Sequence, residues 1–219
     1  MPRKDPIAHL LRHPRPTDRL FREVLALGPP ALEQLATIAT DRERWSGEAL
    51  DVGNALQALA RAEAPIGRTA ALEVFHHAEP SGRAYFAAVM TLHVLTGPDD
   101  AGLFDLASLP VDRRRDAVAI LADAGCPPAE LVAHLPEVLA HHTAQGCHVA
   151  NQLGADAIPA LETAFDAALD DGEVDDACDL FMALARLEAN TDQHSTRLKV
   201  ALAMSNFEMK NALHELYQR

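Results

Sequence analysis

The chain has 219 residues, 48% of them hydrophobic and only 5% aromatic, with a formal net charge of −13. That length suffices for one ordinary core. No apolar run approaches the roughly 20 residues that span a bilayer, so membrane insertion is excluded as an expectation. The acidic balance opposes a phosphate backbone and argues against nucleic acid as a partner.

Alanine and leucine dominate, and the β-branched and aromatic residues that strands need are few, so an all-α fold is expected. The basic N-terminus, MPRKDPIAHLLRHPRP, lacks the apolar core and cleavage site of a secretory signal. Cys126, Cys147 and Cys178 form an odd set without framework spacing. Reduced thiols and a cytoplasmic protein are the simplest expectation. Residues 1–27 carry six Lys/Arg against three acids and residues 192–219 four against three, which leaves −17 for the stretch between.

In chain order, Ile7–His13 reads as a helical turn ended by Pro14 and Pro16. Thr17 or Asp18 caps a helix to Leu27, and Gly28-Pro29-Pro30 stops it and starts the next. Helix pairs follow at Gly67–Ala78 with Gly82–Leu95, Asp99–Ser108 with Asp112–Ala124, and Pro128–His142 with Ala144–Leu153. The clearest pair is Leu153–Glu188, folded back across Asp170-Asp171-Gly172. Ile158, Leu161, Phe165 and Ala168 mark one apolar face, and Val174, Ala177, Cys178, Phe181, Leu184 and Ala185 the other. From Asp192 a single long helix is expected, with Leu198, Ala201, Leu202, Met209, Leu213 and Leu216 in one stripe and Val200, Met204 and Phe207 beside it.

Leu27–Glu63 can be set against Leu153–Glu188. Leu27-Gly28, Ala31, Leu35 and Thr37 match Leu153-Gly154, Ala157, Leu161 and Thr163 at an offset of 126. Gly47-Glu48 and Ala58-Leu59-Ala60-Arg61 match Gly172-Glu173 and Ala183-Leu184-Ala185-Arg186 at 125. Four units of about 31 residues give that offset, inside the range of stacking helical repeats. The pattern resembles HEAT-like repeats of the short class found in phycobilin lyases and many bacterial scaffold proteins, with Ala157-Ile158-Pro159-Ala160-Leu161 at the A-x-P-x-L position. Asp175-Asp176 stand where that class often has an arginine. The resemblance implies a single α-solenoid domain over 1–219: an N-terminal helical segment (1–27), about five hairpins (28–190) and a long capping helix (191–219).

No catalytic set emerges: the chain has no Gly-rich phosphate loop and no G-x-S-x-G. His134, His141, His142, Cys147 and His148 are the densest group of potential metal ligands. They lack C-x-x-C and regular zinc spacing, so exposed histidines without a metal or cofactor are expected. Only His214-Glu215 echoes the His-Glu pairs of HEAT-like iron hydroxylases. The expected function is a non-enzymatic adaptor that binds a basic protein, with Trp45, Asp170, Asp171, Asp175 and Asp176 as candidate contacts. The alternative is a HEAT-like enzyme or lyase acting on a small molecule or chromophore.

Overall fold

The computed structural model describes residues 5–46, 49–187, 189, 191–192 and 194–204. Among them there is no strand: every regular element is a helix. No helix among them is long and apolar enough to cross a membrane. The chain divides into two compact units, Met1–Ala124 and Gly125–Arg219.

The first unit contains α1 (Pro6–Arg12), α2 (Asp18–Leu25), α3 (Pro29–Thr40), α4 (Leu50–Arg61), α5 (Pro65–His77), α6 (Arg83–Leu95) and α7 (Val111–Asp123). Proline opens α1, α3 and α5, where its missing N–H has no partner to lose and its fixed φ suits the first turn. The Thr17 hydroxyl caps α2 by accepting from the Leu20 N–H. α3 packs on α4 and α5 on α6, while α3 also touches α5 and α4 touches α6. Successive hairpins therefore lie side by side in two layers. α1 lies against α4, where buried Asn54 donates from Nδ2 to the carbonyls of Leu10, Leu11 and His13 at 3.0, 3.2 and 2.9 Å. Nothing in the sequence pattern marks this anchor.

The helix expected over Asp99–Ser108 does not form. Only a 3-10 turn at Ala101–Leu103 is regular there. Gly97, Pro98, Gly102 and Pro110 disfavour a helix, and side-chain contacts hold the segment instead. Asp100 accepts from the Gly97 N–H and pairs with Arg68 at 2.7 Å. Arg114 donates to the carbonyls of Leu106 and Leu109, each at 2.7 Å. Phe104, Leu106 and Leu109 are buried, with Phe104 5.1 Å from Phe75, which stacks on Tyr85. Arg113, in the same basic run, closes the end of α5 by donating to Phe75 O and Ala78 O at 2.7 and 2.6 Å. Asp116 accepts from buried Tyr85 Oη at 2.8 Å and from Arg115. The run Arg113-Arg114-Arg115 is a half-buried brace.

The second unit contains α8 (Pro128–Leu131), α9 (Leu135–His141), α10 (Thr143–Leu153), α11 (Ile158–Asp170) and α12 (Val174–Arg186). The single helix expected over Pro128–His142 is broken by a 3-10 turn at Val132–His134. Pro136 accounts for the break: it has no N–H for the carbonyl of Val132, and its ring crowds that carbonyl. α9 packs on α10 and α11 on α12, with α9 also against α11 and α10 against α12. This repeats the two-layer arrangement of the first unit.

Of the expected α11 face, Leu161, Phe165 and Ala168 are buried and Ile158 is half-buried. The α12 face is rotated. Its buried residues are Ala177, Leu180, Ala183 and Leu184, while Ala185 is exposed. Because α12 meets both α11 and α10, its buried arc centres between them rather than on the stripe facing α11 alone.

Residues 194–204 are helical. His194 meets Phe165 edge-on at 5.0 Å, Arg197 pairs with Asp166, and Leu198 is buried, so this stretch covers part of α11. Val200, Leu202 and Met204 are exposed. Phe207, Met209, Leu213, His214-Glu215 and Leu216 of the expected helix, and the Gly47-Glu48 match, lie outside the described residues.

Candidate functional site

The turn between α11 and α12 is set by Gly172, whose φ of 77° is left-handed and accessible without strain only to glycine. Around it the Glu173 N–H donates to Ala168 O at 2.8 Å and the Gly172 N–H to Leu169 O at 3.3 Å, the pairing of a Schellman motif. The chain reverses within three residues and crowds Asp170, Asp171, Glu173, Asp175 and Asp176 into one turn. Asp176 is half-buried and the other four are exposed.

These acids occupy two electrostatic settings. Glu173, Asp175 and Asp176 stand at the start of α12, where the helix dipole favours negative charge. Asp170 and Asp171 stand at the end of α11, where the dipole opposes it by about 0.3–1 kcal/mol per charge. Asp170 has some relief from Arg197, 4.0 Å away. Among the described residues no cation pairs with Asp171, Glu173, Asp175 or Asp176. Local helix energetics explain the acids on α12 and leave Asp171 unexplained.

Beside this turn runs a groove of about 470 Å³. Ala160, Thr163, Ala164 and Ala167 of α11 form its floor. They recur at i, i+3, i+4 and i+7 and lead to Asp171, a rise of ~16 Å along one helix face. Leu139 and Ala140 of α9 form one wall, Leu180 of α12 closes the other side, and Asp171, Glu173 and Asp176 ring one end. The floor is apolar and shallow because its side chains are small. The negative charge is gathered at one end.

Gly146 keeps the α9 wall in place. A Cβ on it would lie 2.5 Å from Leu139 Cδ2 and 2.9 Å from Leu139 Cα, so α10 can approach α9 this closely only with glycine.

The other candidates fall elsewhere. Trp45, in the first unit, is half-buried. Its Nε1 donates to Ala39 O at 2.8 Å and Arg42 lies over its ring at 5.6 Å. His134 is half-buried, His141 and His148 are exposed and Cys147 is buried, and no group of three His, Cys, Asp or Glu among the described residues could hold a metal ion. His142 Nδ1 instead caps α10 by accepting from the Gln145 N–H at 3.3 Å. Burial, followed by the nearby carboxylates of Asp179 and Asp176, pushes the Cys147 thiol up to about 11. It is protonated at neutral pH and is a poor nucleophile there. A smaller cavity of about 270 Å³ adjoins Cys147, His148, Asn151 and Arg186.

The contact set read from the sequence places four of its residues, Asp170, Asp171, Asp175 and Asp176, in this turn and leaves out Glu173. It also missed the groove floor, although the small residues at helical spacing from Ala160 to Ala167 were the available signal.

No family model, curated protein or solved structure matches the chain.

Proposed function

We propose that this chain is a non-enzymatic, HEAT-like α-solenoid module that holds a basic protein through the acidic turn between α11 and α12. The side-by-side hairpins, α3/α4 with α5/α6 and α9/α10 with α11/α12, support the repeat reading. The observation that carries the functional reading is Asp171, a carboxylate placed against the α11 dipole, with no cationic partner among the described residues, beside Glu173, Asp175 and Asp176, which also lack one among those residues. An arrangement that costs the isolated helix stability is accounted for when a partner supplies the cation. Clustered charge of one sign also speeds encounter with an opposite surface, an effect that salt weakens.

The test is kinetic. A partner recovered on the immobilised chain is identified and purified. Its association rate is then measured across ionic strength with the native chain and with Asp170, Asp171, Asp175 and Asp176 all changed to Asn. The rate is expected to fall with salt and in the variant. A rate indifferent to both overturns the reading.

A further inference from the structure

Resting on that reading, we propose that the groove along α11 is the seat of a cationic amphipathic helix from the partner, bound with its N-terminal turn at the Asp171–Glu173–Asp176 end. The floor is a helix face whose backbone groups are already bonded within α11, so it offers nothing to the N–H and C=O groups of an extended peptide. A helix brings its own backbone bonds and needs only an apolar face, which Ala160, Ala164, Ala167 and Leu139 can receive. The floor residues repeat at i, i+3, i+4 and i+7, the spacing at which a facing helix presents its anchors. Their small side chains permit close approach. From Ala160 to Asp171 the groove runs ~16 Å, about three helical turns.

Charge fixes the direction. One end of the groove carries three carboxylates, and no cation among the described residues pairs with them. The N-terminal turn of a bound helix carries the positive end of its dipole. A Lys or Arg in that turn adds a full charge and can lay its aliphatic stem on the alanine floor while its head reaches the acids. The reverse orientation would bring carbonyl oxygens to the same carboxylates. The occupant is therefore defined by two features: an apolar stripe and a cationic first turn.

The probes are three labelled 18-residue Ala/Leu peptides, acetylated and amidated: one with two Lys in the first turn, one with the same two in the last turn, and one with Glu in place of the first-turn Lys. Binding to the full chain is read by fluorescence anisotropy. The first-turn Lys peptide is expected to bind about two- to fivefold tighter than the last-turn peptide, and tighter still than the Glu peptide. Thr163→Arg and Ala167→Arg, both at exposed floor positions and each checked for native helicity by circular dichroism, are expected to weaken it about tenfold or more. Asp171→Asn with Asp176→Asn should weaken it and flatten its salt dependence. Glu79→Gln with Asp99→Asn, an equal charge change at exposed residues of the first unit, should leave it within about twofold. Should Thr163→Arg and Ala167→Arg leave binding intact while loss of the acids weakens it, the groove proposal falls and the basic-partner reading stands. Equal affinity for the Lys and Glu peptides takes both down. Spermine displacing the peptide at equal concentration overturns the helical occupant in favour of a small polycation.

Discussion

Gly146 and Gly53 both sit inside helices, and the same substitution is expected to act on them in opposite directions. Replacing a helix-interior glycine with alanine contributes about 1 kcal/mol of stability through reduced backbone entropy in the unfolded chain. At Gly53 that gain stands alone, because the new Cβ would lie 3.8 Å from Ala87 Cβ, an ordinary contact. At Gly146 the new Cβ would lie 2.5 and 2.8 Å from Leu139 side-chain carbons and 2.9 Å from Leu139 Cα. The Leu139 side chain can rotate away, but its backbone cannot. Restoring a carbon separation of ~3.5–4 Å requires α9 to move by roughly 0.6–1 Å. Overpacking of this kind costs about 1–3 kcal/mol, which exceeds or cancels the helix gain. Gly53→Ala should therefore stabilise by about 1 kcal/mol and Gly146→Ala destabilise by up to ~2 kcal/mol. Urea unfolding followed by circular dichroism measures both. Leu139 also walls the groove, so Gly146→Ala should weaken binding of the cationic peptide as well. A Gly146→Ala protein more stable than the native chain would refute the close-approach argument.

Arg113→Ala removes the cation that closes α5 at Phe75 O and Ala78 O and should cost about 2–3 kcal/mol in urea unfolding, with Arg113→Lys intermediate; a loss no larger than that of an exposed arginine such as Arg83 contradicts the brace. Asp171→Asn removes a charge opposed by the α11 dipole and should raise stability by about 0.3–1 kcal/mol at low salt while it weakens binding; loss of stability contradicts the electrostatic assignment. The Cys147 thiol, pushed up to about 11, should resist iodoacetamide at pH 8 while less buried Cys178 is labelled first, as mass spectrometry would show. The stability gained by keeping Cys147 neutral is complete below the thiol's ordinary value near 9, and is lost as pH rises from there toward about 11.

The helices were legible where local chemistry decides them. Proline at the starts of α3 and α5, Thr17 before α2, and the Leu161–Phe165–Ala168 face of α11 act within a few residues. The segment before α7 was not legible, because its carbonyls are held by Arg114 and its turn by a pair between Asp100 and Arg68, 32 residues apart. The α12 face was misjudged for a related reason: two neighbours, not one, define its buried arc. The acids of the site could be read from composition and from the Asp-Asp-Gly turn. Their relation to the groove could not, since it depends on α9 lying against α11 and on Gly146 of α10 admitting the close approach to α9. The break before α9 was readable in principle, because Pro136 carries it.

The claim that a cationic partner is held in one acid-ended groove is tested most directly by alanine-methyl NMR of the full chain titrated with the first-turn Lys peptide. Ala160, Ala164, Ala167 and Ala168 on α11 and Ala140 on α9 line the groove and report on it from within. The account predicts shifts concentrated at these five methyls, reversed by salt and absent with the Glu peptide. Shifts spread evenly over alanines of both units, with these methyls no different from the rest, would contradict it.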